Sequence, residues 1–445
     1  MAKQSIDAPL RAAWTAGAVL LALTTCSRKE TEIDLQGSPS SYLVTFVGDL
    51  DEKEPDFLLT IDVDPTSEQR GQPIETMPIG HHGSVPHHME YERPPNNEVI
   101  FVNAHQKELT MIVDIDNRRS INIAHTFEPP APYRFPHDYQ RTPNGTRLVG
   151  FLRSDGASPD PNEATTPGNH GGIGEYTNSG ELLRTVSAAA PGLKKAVRPY
   201  AFALLPEIDR FVVTSAPMME SSWADVIQIY RYSDFSLLHT LDLPVGRDAQ
   251  GQLVEGSQAA GFGPRILDDG TVFLNAYGCA FYHLTDIDTT TPSLEMVYTI
   301  QTDPVPHIGK IRGACSIPVR VAHYWIQSVS DLNSVVVLDI SDPREPFEVH
   351  RINTPKWFKP HWLAKDKASN RLVMGAELGG EDGFFILRID TDTGRIGFDP
   401  DFKARRSGSL FAKSHPGYIK LRRQDWPHGQ SGNAWGHAAL FWQDE

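Results

Sequence analysis

The sequence predicts an all-β chain folded as a seven-bladed β-propeller, and three observations carry that expectation. Five of the 17 histidines directly follow a proline, at His87, His137, His307, His361 and His428. Several of these Pro-His steps open a repeated unit: PHHMEYERPPNNEVIFVNA, PHDYQRTPNGTRLVGFLR and PHWLAKDKASNRLVMGAE each pass through a polar turn into an apolar run of strand type. RPYAFALLPEIDRFVVTSA keeps the plan with Tyr200 in the histidine's place. The body of the chain is a succession of short apolar runs bounded by Asp, Gly, Asn and Pro, such as DFLLTIDVD, EVIFVNA, RFVVTSA, SVVVLDI and GFFILRID, and long helical periodicity is scarce. Finally, the units recur at the spacing of four-stranded propeller blades. A β-sandwich or two β-domains would also read as strands throughout, but neither uses the period.

The elements follow in chain order. Residues 1–26 read as an export signal: Lys3 and Arg11 precede an apolar run, 14–23, that is too short for a stable anchor and is followed by small and polar residues. Leu23-Thr24-Thr25-Cys26 is similar to a bacterial lipoprotein box, in which Cys26 becomes the lipidated first residue, although Thr25 stands where Ala, Gly or Ser is usual. The expected location is the periplasm, free or held to the membrane by that lipid. Residues 27–40 read as a polar linker and 41–445 as the propeller. Six blades start at His87, His137, Pro199, Ala260, Gly313 and His361. The segment 42–78 makes most of a seventh, completed by the last strand, 437–442, so that the two ends of the chain close the ring and leave no open sheet edge. VVVLDISDPREPFEVHRI and FFILRIDTDTGRIGFD each read as a hairpin within a blade. Three stretches read as insertions: 154–170, 246–258 and 403–424. The last is basic, and a solvated loop is its expected form.

Composition narrows the functions. A net charge of −15 without a lysine- or arginine-rich run excludes a nucleic-acid surface. Of three cysteines, Cys279 and Cys315 lie in the body in apolar contexts, where a buried thiol is the ordinary state; a disulfide between them is the alternative in an oxidising compartment. No CxxC pair, GxSxG elbow or phosphate-binding strand-loop-helix motif is present.

The chemistry therefore rests on imidazole. Repeated units that each deliver a histidine from the same structural position converge those side chains on the axis of a radial fold. Imidazole suits copper, zinc, iron and nickel, and several histidines without a thiolate or carboxylate motif favour copper or zinc, with no metal as the alternative. The expected ligands are His87, His88, His137, His361 and His437. His428 and the pair His81 and His82, between Gly80 and Gly83, are additional candidates. Each also has a plain structural reading as a turn or carbonyl-bonded histidine. Asp138 and Glu90 are placed to orient a ligand's second nitrogen. Tyr200, Tyr324 and Trp325 are candidates for the wall of a small-substrate pocket, with core packing as the other reading. His105, His125, His239, His350 and His415 read as structural or exposed.

The paired histidines, the Pro-His steps, DFLLTIDVDPTSEQRGQPI and HYWIQSVSDLNSVVVLDISDP together resemble the selenium-binding protein and methanethiol oxidase family, from about residue 40 to the end. The resemblance implies a seven-bladed propeller and, for the bacterial enzymes, an exported copper protein that oxidises methanethiol with O2 to formaldehyde, hydrogen sulfide and hydrogen peroxide. It carries the family's paired histidine onto His87 and His88, with His81 and His82 as the competing alignment. It carries the following Pro-His motif onto Pro136-His137, but Gln140 replaces that motif's second histidine. His437 falls in the family's terminal segment, whereas His361 enters through the repeat. SVPHHMEYE lacks the family's cysteine, so covalent selenium binding is not expected. The expected partners are a small thiol and O2. A metal-binding module without turnover and an interaction scaffold are the other classes that the sequence leaves open.

Overall fold

The computed structural model describes residues 32–95, 99–155, 170–218, 222–301, 314–377, 383–406, 411 and 413–443. The segment read as an export signal, with Cys26, most of the insertion at 154–170, and His307 lie outside the described residues. From Ile33 onward the chain is one compact unit, and its described residues contain no α-helix.

The strands form the seven blades of a β-propeller. Blade 1 consists of Pro73–Pro78, Phe57–Asp62, Tyr42–Asp49 and, innermost, Gly432–Trp442. The inner strands of blades 2 to 7 are Pro86–Met89, Tyr133–Arg141, Pro199–Leu205, Arg265–Ile266, Val319–Val321 and Pro360–Lys365. Each leads an antiparallel meander whose fourth strand lies outermost. Five of the blade starts expected from the sequence, His87, His137, Pro199, Ala260 and His361, thus fall on or just ahead of inner strands, and Gly313 lies outside the described residues. The ring closes as expected: Tyr42, Leu43, Val44 and Thr45 pair with Trp442, Phe441, Leu440 and Ala439. The Thr45 hydroxyl donates to the Ala438 carbonyl at 2.7 Å.

Middle strands are covered on both faces by neighbouring blades, which is why they read as continuous apolar runs rather than alternating ones. Between blades 4 and 5, Val212, Ile227 and Ile229 meet Val272, Leu274 and Tyr282; between blades 6 and 7, Val335 and Val337 meet Leu372, Met374 and Phe385. Polar clamps cross other blade interfaces. Fully buried Arg147 of blade 3 donates to Glu90 of blade 2 at 2.7 Å, and Arg371 of blade 7 pairs with Asp366 while donating to the Val63 carbonyl.

Residues 246–258 form a small hairpin, Gly246–Arg247 with Leu253–Val254. The basic insertion departs from the expected solvated loop. Its Tyr418–Lys420 strand pairs with Gly383–Ile389 of blade 7, and Tyr418, Ile419 and Leu421 are buried, because its apolar residues cover the outer part of that blade. Cys279 and Cys315, for which the sequence left two states open, form a disulfide between blade 5 and the segment that leads into blade 6.

Candidate functional site

Five of the inner strands share one irregularity, and it builds the site. In blade 2 Pro86 pairs with Ala104 and Met89 with Val102, so His87 and His88 together stand opposite the single residue Asn103. Such a β-bulge breaks the alternation that would send neighbouring side chains to opposite faces. The same two-against-one step places His137 and Asp138 opposite Gly150 in blade 3, Tyr200 and Ala201 opposite Thr214 in blade 4, and His361 and Trp362 opposite Gly375 in blade 7. In blade 1 His437 and Ala438 stand opposite Phe46. The opposing residue secures the bulge in two cases: the His88 amide donates to Asn103 Oδ1 at 2.7 Å, and the Ala201 amide donates to Thr214 Oγ1 at 3.2 Å. The residues ahead of the first two prolines, Val85 and Phe135, take positive φ values of 53° and 57°, costly for side chains that are β-branched or bulky.

All five expected ligands are buried and gather on the axis. The His88 and His137 rings lie 3.9 Å apart between centroids, His87 and His88 4.4 Å, His361 and His437 4.5 Å, and His87 and His437 4.6 Å. Two triads, His87 with His88 and His137, and His87 with His361 and His437, each bring three ring nitrogens within 4.8 Å of one another.

Two tautomers follow from the hydrogen bonds. His137 Nδ1 meets the Tyr200 carbonyl at 3.2 Å and His437 Nδ1 the Ala376 carbonyl at 2.8 Å. A carbonyl only accepts, so both Nδ1 atoms carry the proton and both Nε2 atoms carry a lone pair. Those Nε2 atoms, both nitrogens of His88 and of His361, and His87 Nδ1 are buried without a hydrogen-bond partner. Leaving so many buried polar atoms unmatched is costly, and a bound ligand would relieve that cost. Burial, reinforced by the neighbouring imidazoles, holds His87, His88, His137 and His437 well below the ordinary histidine range; burial alone takes His361 down to about 3. The rings are therefore neutral, the form that ligates. A donor set of neutral nitrogens fits copper or zinc.

Asp138 Oδ1 lies 3.5 Å from His88 Nδ1, and burial pushes its carboxyl up to about 7 against the opposing pull of Tyr91 and Arg265. Tyr200 walls the cluster, 4.3 Å from His137 and 4.1 Å from Phe262. Trp362 stands edge-on to His88 at 5.4 Å and stacks on Tyr91 at 4.9 Å.

Other expected site residues lie elsewhere. Glu90 serves no imidazole: it accepts from Arg147, Arg141 and the Phe101 amide, because the bulge has ended and the strand turns it into the blade 2–3 interface. His81 and His82 are exposed in the loop ahead of Pro86. His428 hydrogen-bonds Thr76 and packs against Phe57, on the outer strands of blade 1. Tyr324 and Trp325 belong to the second strand of blade 6, Tyr324–Val329. Tyr324 donates to the Asp392 carbonyl, and Trp325 packs on Phe273 of blade 5, so both are core residues. Conversely, His105 is neither exposed nor remote. It is buried 5.2 Å from His87, with burial taking it down to about 4. Its signal was its position: it follows Ala104, which pairs with Pro86 at the start of the inner strand.

No family model matches the chain, and no curated protein matches it either. Among solved structures it is similar to a hypothetical selenium-binding protein from Sulfolobus tokodaii, with a TM-score of 0.66 at 14% identity, over 91% of this chain and 94% of that one. It is also similar to the periplasmic gluconolactonase of Pseudomonas aeruginosa, with a TM-score of 0.57 at 12% identity over 89% and 99% of the two chains. A protein from Lactobacillus plantarum gives a TM-score of 0.54 at 13% identity, over 85% and 98%. At these identities the likeness establishes the propeller fold.

Proposed function

We propose that this chain is an exported copper enzyme that oxidises a small thiol, of the methanethiol oxidase type. The observation that carries the reading is the group of five buried, neutral imidazoles whose unpartnered nitrogens converge on the axis. In the reaction, methanethiol, O2 and water give formaldehyde, hydrogen sulfide and hydrogen peroxide: the carbon loses two electrons and O2 gains them as peroxide. Copper at this site would supply thiolate affinity and one-electron exchange with O2. His87, His88, His137, His361 and His437 would hold it, with Asp138 orienting His88 and two backbone carbonyls fixing His137 and His437. Tyr200, Phe262 and Trp362 exclude water and restrict the substrate to a small one. The Cys279–Cys315 disulfide supports an oxidising, exported location, and the likeness of the fold to a hypothetical selenium-binding protein agrees with the resemblance seen in the sequence.

Metal analysis by mass spectrometry, on mature protein purified without chelators, tests the reading beside the variant H137A/H361A. Near-stoichiometric copper in the wild type, lost in the variant, together with thiol-dependent O2 uptake, is the expected result. Tight metal without O2 uptake would leave a binding module. Failure to take up any transition metal after copper loading would overturn the site.

A further inference from the structure

The histidines occupy the starts of the inner strands; the ends of those strands line a separate cavity of about 960 Å3. Its wall carries more charge than a passive channel requires, and most of that charge is matched. Glu90 is held by Arg141 and Arg147, Glu92 by Lys367 at 2.8 Å, and Asp268 by Arg320 at 2.6 Å. Apart from Arg93, whose guanidinium lies over the Trp442 ring at 5.3 Å, two wall cations show no ion pair among the described residues, Arg265 of blade 5 and Lys365 of blade 7, and the remaining acid, Glu207, is exposed.

Among the described residues Arg265 hydrogen-bonds only neutral groups, while the nearby carboxylates of Asp138 and Glu92, the latter paired with Lys367, add to the field on it. Its Nη1 donates to the Pro264 carbonyl at 2.8 Å and its Nη2 to the Pro318 carbonyl at 2.7 Å, and its guanidinium lies over the Tyr91 ring at 4.9 Å. Two of five N–H groups are so used, which leaves three for a planar acceptor. A fixed guanidinium with donors to spare in a concave site is the arrangement that recognises a carboxylate, and a lysine lining the same cavity adds to the field. We propose that this cavity binds a small organic carboxylate, anchored on Arg265 and assisted by Lys365. Tyr91 and Trp362 stand between this site and the imidazole cluster, in the stack that leads from Arg265 to His88, and Asp138 is coupled electrostatically to Arg265 while lying 3.5 Å from His88.

The test is binding of butyrate to the metal-stripped full chain, followed by saturation-transfer NMR beside the uncharged isostere butanol. Butyrate should bind and butanol should not. R265Q should weaken butyrate at least tenfold and K365Q about threefold, while H137A/H361A leaves its affinity unchanged, so that failure of the metal reading stays separable from failure of this one. Should R265Q fail to fold, as judged by its melting curve, K365Q decides in its stead. Equal binding of butanol, unchanged affinity in R265Q, or tighter binding of inorganic phosphate than of butyrate would overturn the proposal.

Discussion

Gly375 stands opposite His361 and Trp362 in the bulge of blade 7, and a Cβ there would lie 1.8 Å from the His437 carbonyl oxygen. Both neighbours are backbone-defined, so neither can rotate away. The absence of a side chain lets the inner strands of blades 7 and 1 approach closely enough for His361 and His437 to meet. G375A should therefore destabilise the protein by about 2–4 kcal/mol, the range of overpacked cores and displaced backbone. It should also disturb His437, whose Nδ1 donates to the carbonyl of Ala376, the next residue along. Gly150 holds the equivalent place in blade 3, where a Cβ would meet the Pro199 carbonyl at 2.9 Å and the Phe202 ring at 3.4 Å. G150A should cost less, since a shift of tenths of an ångström relieves it. Urea unfolding of the two variants checks the ranking; an unchanged midpoint for G375A would contradict the close approach.

At the scale of strands and blades, Glu90 separates a clamp from a ligand. In E90Q the fully buried Arg147 loses its charged partner, and breaking such a pair from one side costs about 3–5 kcal/mol. Copper content should not change, because Glu90 faces the blade interface; loss of metal without loss of stability would reverse that assignment. The contrast shows what a sequence displays. The Pro-His recurrence was legible because the inner strands of blades 2, 3 and 7 repeat one bulge, and the repeat carries its chemistry in a fixed place. Glu90 was not, because strand alternation resumes after a bulge whose length no residue pattern announces. His105 begins the short 3-10 turn after the second strand of blade 2, and only the pairing of Ala104 with Pro86 brings it to the axis. Tyr324 and Trp325 were misplaced because the inner strand of blade 6, Val319–Val321, is short and lacks a Pro-His step, so the stronger apolar run after it read as innermost. Closure was legible, since both ends of the chain have strand patterns and a propeller leaves no other place for them.

Across the whole molecule the buried imidazoles make folding dependent on pH, with stability lost as pH falls. An unfolded histidine takes a proton near its ordinary 6.5, whereas in the folded chain His361 is held down to about 3 and His105 to about 4, with His87, His88, His137 and His437 also well depressed. Below 6.5 the unfolded state thus binds more protons, and each such group removes about 1.4 kcal/mol of stability per pH unit until its folded value is reached. Asp138 acts in the opposite direction. Its carboxyl, ordinarily at 3.8, is raised to about 7, so its contribution is present at low pH and is lost as pH rises towards 7. One carboxyl opposes six imidazoles, so the imidazoles decide the slope. The metal-stripped protein should have its full stability above pH 6.5 and lose it steeply between pH 6.5 and 4, with a shallower fall in H361A. Copper, which competes with protons for the same nitrogens, should move the fall to lower pH. Urea midpoints across this range, with and without copper, test both statements. A midpoint that stays flat from pH 7 to 5 in the stripped protein would mean that the axial rings are already charged or reach water.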